Sequence, residues 1–326
     1  MSVSICIPTY NQADYVEATV RSAAEQRPRP LEIIVSNDCS TDGTAAILDR
    51  LAGEYDFLRV IHQPQNLGIG ANVDGLLREG RGDYIVKLDS DDLLRPGYLA
   101  ELSAALDAHP TAGYAHGQVQ EIDEAGQPTR LRTLYRPAGF ETAEESLRKS
   151  VSGYRVAANI LMYRRTALER AGYVNRGMTF AEDYYLCVGI QDAGFGNVYV
   201  DRTLAEYRVW SDAGNLRQRR KQVEVEGLIR VFGERLRPAF ERRGWPTEPI
   251  AQQRAKFAIT HAAALGLPIF TEAEKDKLAA TLLRLSDDSA VRRAITRYRR
   301  GMGWLYDIPN AVTHTAKSLV KRALGR

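Results

Sequence analysis

Three carboxylates that directly follow a short apolar run are the residues of this sequence best suited to chemistry. Residues 83–88 have the pattern of a strand, and Asp89, Asp91 and Asp92 come immediately after it. In an open α/β sheet, ligands bind beyond the carboxyl ends of the strands. Mg²⁺ or Mn²⁺ is typically held by one or two carboxylates together with substrate phosphates and water. The segment therefore indicates a cation site for a phosphorylated ligand. The alternative is a turn in which Asp92 caps the helix that follows Pro96.

The elements that must position these carboxylates alternate along the first part of the chain. Strands are expected at 3–7, 31–36, 58–62 and 83–88, and helices at 15–26, 44–55 and 71–79. This alternation predicts a mostly parallel sheet with right-handed crossovers. Asp38 lies just beyond the second strand, so we expect it at the same sheet edge as the acidic segment. Further strands are expected at 113–122 and 157–163, and helices at 140–151 and 165–170.

Composition describes an ordinary globular protein. The 326 residues are 44% hydrophobic and 26% charged, which suits one large domain and an additional module. A formal net charge of +3 is not typical of a nucleic-acid-binding protein. No apolar run has membrane-spanning length and the N-terminus lacks a signal-peptide layout, so a cytoplasmic location is expected. The cysteines lack metal-ligand spacing and are given no chemistry.

The pattern changes at about residue 213 to long charged helices. Helices are expected at 217–243, 249–265, 290–298 and 312–324, and Thr271 and Glu274 have capping-box spacing. Residues 289–326 carry nine Lys and Arg against the single acid Asp307, with aromatic residues between them. Such a basic tail predicts peripheral contact with an anionic membrane face. The alternative is packing on its own domain or a homo-oligomer contact.

Several motifs, in order, resemble those of family 2 glycosyltransferases of the GT-A fold. They are residues 4–11, 32–44, 66–68, 88–92, 172–173, 181–186, 194–195 and 207–208. The resemblance covers residues 2–212. It implies a Rossmann-like α/β catalytic domain at 1–212, a mostly parallel sheet flanked by helices, and an α-helical C-terminal module at 213–326.

The resemblance implies a nucleotide-sugar donor and a set of residues on its nucleotide side. Asp38 matches the carboxylate that accepts a hydrogen bond from the base, while Pro8 and Tyr10 match the loop lying against the base, where a tyrosine ring can stack. Asn66 falls in a third nucleotide-side loop, or is a turn residue before Gly68. The family usually has Asp-Asp-Gly-Ser where this chain has residues 37–40, Asn-Asp-Cys-Ser.

The same resemblance gives roles near the diphosphate. Asp91 matches the ligand of Mn²⁺ or Mg²⁺, Asp89 lies near the ribose or the metal, and Ser90 is the middle of the Asp-X-Asp motif. The metal would neutralise the leaving diphosphate. Arg208 is a candidate for diphosphate recognition because a guanidinium matches phosphate geometry, or else a surface or salt-bridged residue. Many relatives place a His shortly afterwards; this chain has Trp210, a candidate for the acceptor pocket or for the core.

Asp183 matches the family's general base, which deprotonates an acceptor hydroxyl. Thr179 to Glu182 fits a capping box, so we expect Glu182 to support the helix start while Asp183 is presented to the acceptor. The alternative for Asp183 is a first-turn acid favoured by the helix dipole.

Together these features predict an inverting glycosyltransferase that moves a sugar, expected from a UDP-sugar, to a hydroxyl of a glycan or lipid-linked acceptor. The enzyme alternative is a nucleotidyltransferase or another sugar-nucleotide enzyme. Such enzymes usually have a Gly-rich, Lys-containing phosphate loop, which residues 8–11 do not form. From a different class, the chain could be a non-catalytic glycan-binding protein of the same fold. A glycoside hydrolase would leave Asp38 and the Asp-X-Asp motif unexplained.

Overall fold

The computed structural model describes residues 2–134, 136–211 and 216–302. The chain divides into two compact units. The first unit comprises Met1–Ser211 and Gly233–Gly244, and the second comprises Asp212–Phe232 and Trp245–Arg326. Residues 233–244, which the sequence analysis assigned to the helical module, thus belong with the first unit.

A ten-stranded sheet is the centre of the first unit within the described residues. Its strands are β1 (Val3–Thr9), β2 (Glu32–Asn37), β3 (Leu58–His62), β4 (Tyr84–Lys87), β5 (Leu93–Leu94), β6 (Ala112–Ile122), β7 (Pro128–Arg132), β8 (Gly139–Glu141), β9 (Leu161–Arg164) and β10 (Gly196–Arg208). The spatial order is β3-β2-β1-β4-β9-β6-β10-β5, with β7 beside β6 and β8 beside β10.

The predicted parallel arrangement is confirmed for β1 to β4, and the rest of the sheet is mixed. Strands β3, β2, β1 and β4 pair in parallel, as do β6 and β10. Strand β9 lies between β4 and β6 and is antiparallel to both. Strands β5 and β8 are antiparallel to β10, and β7 is antiparallel to β6.

Helices cover the sheet of the first unit. They are α1 (Val16–Ala24), α2 (Thr44–Glu54), α3 (Ile69–Glu79), α4 (Tyr98–Ala108), α5 (Ala143–Ser150), α6 (Arg165–Ala171) and α7 (Glu182–Asp192). All seven positions of β1 and all four of β4 are buried, as expected for central strands covered on both faces. The helix predicted at 140–151 starts only at Ala143, because 139–141 form β8 and Thr142 caps the helix by accepting the Glu145 N–H.

The start of α7 corrects one prediction. The helix begins at Glu182, but its N-cap is Ala181 in the left-handed region (φ 61°), and no side chain caps it. A capping box needs the threonine at the N-cap and the acid three positions later. Glu182 is instead the first helical residue, so the box from Thr179 is wrong.

The described part of the C-terminal region is helical, as predicted. Its elements are α8 (Leu216–Arg219), α9 (Lys221–Arg230), a π-helical turn (Val231–Leu236), α10 (Arg237–Arg242), α11 (Glu248–Ala262), a 3-10 turn (Ala263–Gly266), α12 (Glu272–Leu285) and α13 (Ser289–Arg299). The capping box of Thr271 and Glu274 is confirmed. The helix predicted at 312–324 lies outside the described residues. Within the described ranges, no helix combines the length and apolar character needed to cross a membrane.

Candidate functional site

The carboxyl ends of three adjacent strands bring the predicted site segments to one edge of the sheet. Strand β1 pairs in parallel with β2 on one side and with β4 on the other. Tyr10 follows β1, Asp38 follows β2 and Asp89 follows β4 shortly after the strand ends. Parallel pairing makes these strand ends neighbours, so this edge is the candidate functional site.

Asp38 is buried and binds the loop that precedes α3. Its Oδ1 accepts the Leu67 N–H at 2.7 Å, and its Oδ2 accepts the Gly68 N–H at 3.0 Å. Asn66 Nδ2 donates to the Asp38 carbonyl at 3.2 Å, so Asn66 supports the same loop. Gly68 has φ 79°, a conformation that favours glycine. Both carboxylate oxygens have further lone pairs that a ligand could use. The hydrogen bond from a nucleotide base to Asp38 therefore stays a prediction.

The segments beside Asp38 differ in their exposure. Tyr10 is 47% exposed and can meet a ligand, whereas Pro8 is buried inside β1, where it pairs with Ser36. Cys39 has φ 59°, in the left-handed region that favours glycine. The loop therefore keeps a glycine-like backbone at the position where the family pattern has glycine.

A buried lysine that the sequence analysis missed connects two groups of predicted site residues. Lys87, the last residue of β4, is 1% exposed. Its Nζ lies 2.8 Å from Asp89 Oδ1, 3.0 Å from Asp183 Oδ2 and 3.9 Å from Glu182 Oε1. Buried charges require partners, so a lysine in an apolar strand next to an acidic segment was the signal that could have revealed this contact.

Asp183 is buried at the start of α7, where the helix dipole favours a negative charge. Burial raises the pKa of Asp183 to about 7, although the ammonium of Lys87 opposes that rise and Glu182 adds to it. Among the described residues, Asp183 Oδ1 is buried without a hydrogen-bond partner. A carboxylate with a pKa near neutrality and one unpaired oxygen is suited to accept a proton.

Hydrogen bonds to backbone and side-chain atoms hold the acidic segment after β4 in place. Asp92 accepts the backbone N–H of Arg208 through Oδ1 at 2.8 Å. The Ser90 carbonyl accepts the Thr19 hydroxyl at 3.0 Å. Helix α4 begins after Gly97 without a side-chain cap, so the alternative that Asp92 caps this helix is wrong. Asp92 instead joins the segment to the end of β10.

Arg208 also has structural contacts. Its Nε donates to the Asp91 carbonyl at 2.9 Å, and its Nη1 donates to the Asp123 carbonyl at 2.7 Å. The guanidinium lies over the Tyr15 ring, 4.6 Å from the ring centroid. Arg208 is buried and holds the acidic segment; its predicted contact with a diphosphate remains a prediction.

Trp210 contacts the predicted metal ligand. Its Nε1 donates to Asp91 Oδ2 at 2.8 Å, and its ring meets the Tyr15 ring edge-on, with 5.0 Å between centroids. Trp210 is 39% exposed, so it is not a core residue.

The residues present fit a divalent cation of the Mg²⁺ or Mn²⁺ type. Within the described part of the chain, no group of three or more His, Cys, Asp or Glu side chains is arranged to hold a metal. Such cations, however, are commonly held by one or two carboxylates with substrate phosphates and water. Burial raises the pKa of Asp91, and the nearby charge of Asp89 raises it further. A cation would relieve this unfavourable desolvation and repulsion.

Comparison with known sequences identifies the family. The model described as "Glycosyl transferase family 2" matches residues 4–172. The putative teichuronic acid biosynthesis glycosyltransferase TuaG of Bacillus subtilis is 38% identical over 208 residues, which cover 64% of this chain and 79% of TuaG. Chondroitin synthase of Pasteurella multocida is 40% identical over 94 residues, 29% of this chain; the match spans only 10% of that synthase.

Solved structures show the same fold at low sequence identity. Staphylococcus aureus TarS 1-349, in complex with UDP, has a TM-score of 0.56 and 20% identity, and the match covers 92% of each chain. The mannosyltransferase PcManGT of Pyrobaculum calidifontis, in complex with GDP-Man and Mn2+, has a TM-score of 0.57 and 20% identity, covering 94% of this chain and 86% of that one. The GT-A fold expected from the sequence is thereby confirmed.

The family match spans more than half of the chain and includes both Asp38 and the acidic segment after β4. The chain therefore belongs to glycosyl transferase family 2.

Proposed function

We propose that this protein transfers a sugar from a nucleotide-diphosphate donor, a UDP-sugar, to a hydroxyl of a glycan or lipid-linked acceptor, with inversion at the anomeric carbon. The main support for the proposal is the ion pair between Asp183 and Lys87, because Lys87 also forms an ion pair with Asp89. The buried ammonium group of Lys87 therefore links Asp183, the candidate base, to the segment that is expected to bind the donor. The complexes of TarS with UDP and UDP-GlcNAc support a nucleotide-sugar donor.

The proton acceptor in this proposal is Asp183. Lys87 holds Oδ2, which leaves the unpaired Oδ1 for the acceptor hydroxyl. As Oδ1 takes the proton, the hydroxyl oxygen forms a bond to the anomeric carbon. The bond from that carbon to the diphosphate breaks on the opposite face, and its electron pair leaves with the diphosphate. A single displacement of this kind inverts the configuration.

Donor binding uses the neighbouring strand ends. Tyr10 offers an exposed ring to the base, and Asp38 offers the remaining lone pairs of a carboxylate already oriented by Leu67 and Gly68. Pro8, Asn66 and Ser90 belong to the backbone segments that surround Tyr10 and Asp38. Asp91 and Asp89 would hold Mn²⁺ or Mg²⁺, which when bound neutralises charge on the departing diphosphate. The complex of PcManGT with GDP-Man and Mn2+ supports a divalent cation.

Peripheral membrane contact would be electrostatic in the described part of the basic tail. Helix α13 buries its apolar face, which consists of Val291, Ala294, Ile295 and Tyr298. Arg292, Arg293 and Arg300 are exposed, so they can attract an anionic surface without insertion of apolar side chains. Such attraction would bring the enzyme to a lipid-linked acceptor. The alternatives are packing of the tail on its own domain, which the contacts of α13 with α11 and α12 support, and a homo-oligomer contact.

The experiment is a donor screen followed by product analysis. Thermal unfolding with a panel of UDP-, GDP- and CDP-sugars and Mn²⁺ should show selective stabilisation by the donor. Transfer from that donor to a glycan acceptor should then give a product of inverted anomeric configuration by NMR. A product of retained configuration would reject the single displacement. Release of pyrophosphate from a nucleoside triphosphate and a sugar phosphate would favour the nucleotidyltransferase alternative.

A further inference from the structure

We propose that Trp210 is a positioning residue for the cation site: its indole N–H fixes the carboxylate of Asp91 so that Oδ1 is presented to the cation. This inference rests on the proposed function, because it assumes that Asp91 holds a cation. It is based on the hydrogen bond that Trp210 Nε1 donates to Asp91 Oδ2, at 2.8 Å. An indole nitrogen is a donor only and has no lone pair to offer a metal. Trp210 therefore acts on a cation through Asp91.

The geometry of the neighbours explains why the indole itself stays in place. The edge-on contact with Tyr15 has an interplanar angle of 82°. The face of Tyr15 lies under the guanidinium of Arg208, whose Nε donates to the carbonyl of Asp91. These four residues form a closed ring of contacts. Arg208 fixes the backbone of Asp91 and Trp210 fixes its side chain.

This ring matters because few protein ligands surround the proposed cation. Asp89 Oδ1 contacts Lys87 and Asp91 Oδ2 accepts the Trp210 N–H, so each carboxylate keeps one oxygen for the cation. A ligand that can rotate freely must lose that freedom when the cation binds, whereas a ligand already held by a hydrogen bond has lost it beforehand. Partners that orient metal ligands are typically worth 10- to 100-fold in metal affinity.

Two other roles for Trp210 predict different behaviour. Because Trp210 is 39% exposed, it could stack on the acceptor, or it could serve only as packing against Tyr15. In neither of these roles does the indole N–H group affect the affinity of the protein for the cation. Trp210→Phe separates the possibilities, since it keeps an aromatic ring beside Tyr15 and removes the donor.

The test is a titration of the full-length protein with Mn²⁺, with free Mn²⁺ measured by its electron paramagnetic resonance signal, in the absence and presence of saturating UDP. Trp210→Phe should weaken Mn²⁺ binding by about 10- to 100-fold. Tyr15→Leu, which keeps the N–H but removes its support, should weaken binding in the same direction by a smaller factor. Trp245→Phe is the matched control and should bind Mn²⁺ like the wild type.

The outcomes separate this inference from the proposed function. Wild-type or tighter Mn²⁺ binding by a folded Trp210→Phe overturns the positioning role, as does a change confined to the KM of the acceptor. Should Trp210→Phe fail to fold, unchanged Mn²⁺ affinity in Tyr15→Leu overturns it instead. Asp91→Ala tests the underlying site: if that variant binds Mn²⁺ as tightly as the wild type, the proposed cation site itself is wrong, whatever Trp210 does.

Discussion

Lys87 Nζ lies 3.0 Å from Asp183 Oδ2, and this contact joins the end of β4 to the start of α7 across 96 positions of sequence. Both side chains are buried. Burial alone would favour the neutral form of each group, but the pKa of Lys87 is raised well above its usual value because Asp183, Asp89 and Glu182 surround the ammonium. The lysine therefore stays charged and orients the carboxylates of two different elements.

Replacing Lys87 by methionine should leave the buried carboxylates around it without the ammonium group that orients them and balances their charge. We expect the free energy of unfolding to fall by about 3–5 kcal/mol, the usual cost of removing one partner from a buried ion pair. Urea unfolding measures it. Lys149→Met is the matched control, because Lys149 pairs with Glu141 and Glu145 near the surface and should cost about 1 kcal/mol or less. Equal losses in the two variants would contradict a special role for Lys87.

Asp183→Asn should lower kcat by about 10²- to 10⁴-fold, because the amide cannot accept the acceptor's proton. Donor affinity should remain close to that of the wild type, since Asp183 acts on the acceptor hydroxyl. Steady-state kinetics with both substrates measure the two parameters. Glu182→Gln, at the adjacent position, should have a mixed effect on stability and rate. Near-wild-type turnover by Asp183→Asn, where chemistry limits the rate, would remove this residue from the mechanism.

Activity should depend on pH through the same carboxylate. The pKa of Asp183 is raised to about 7, chiefly by burial, so the side chain becomes protonated as pH falls through that value. A protonated carboxyl cannot serve as the base. We expect kcat/KM to decrease about tenfold per pH unit below that pKa, and this limb to be absent from Asp183→Asn. A profile that stays flat from pH 8 to pH 5 would argue against Asp183 as the base.

The site was predictable where it depends on local pattern. Asp38 and Asp89 follow parallel strands, so their shared edge follows from the alternation of strands and helices. Lys87 was not recognised because its partner Asp183 lies 96 positions later in the sequence. The strand expected at 157–163 was found, but its antiparallel position between β4 and β6, as β9, does not follow from periodicity. The contact of Trp210 with Asp91 likewise depends on where β10 ends, 119 positions later in the sequence.

Charge reversal on α13 tests the proposed membrane contact. Each exposed basic residue near an anionic surface contributes about 1 kcal/mol, so Arg292→Glu combined with Arg293→Glu should reduce sedimentation with anionic vesicles. The buried face of α13 is untouched, and the fold should be retained. Lys256→Glu combined with Lys277→Glu is the control of equal charge change on exposed positions of α11 and α12. Equal sedimentation of both double variants and the wild type would contradict the proposal, and a changed oligomeric state would favour the alternative.

Removal of the cation should stop transfer. Asp91 and Asp89 are the carboxylates expected to hold it, and the raised pKa of Asp91 shows that its charge is poorly compensated by the protein alone. We expect excess chelator to abolish transfer and added Mn²⁺ or Mg²⁺ to restore it. Asp91→Ala should remain inactive with added metal and unfold at about the wild-type temperature, because it removes a charge that burial destabilises. Asp49→Ala, at an exposed carboxylate that pairs with His62, is the control and should keep full activity. Full activity of the wild type in excess chelator would mean that basic side chains such as Lys87 and Arg208 neutralise the diphosphate in place of a cation.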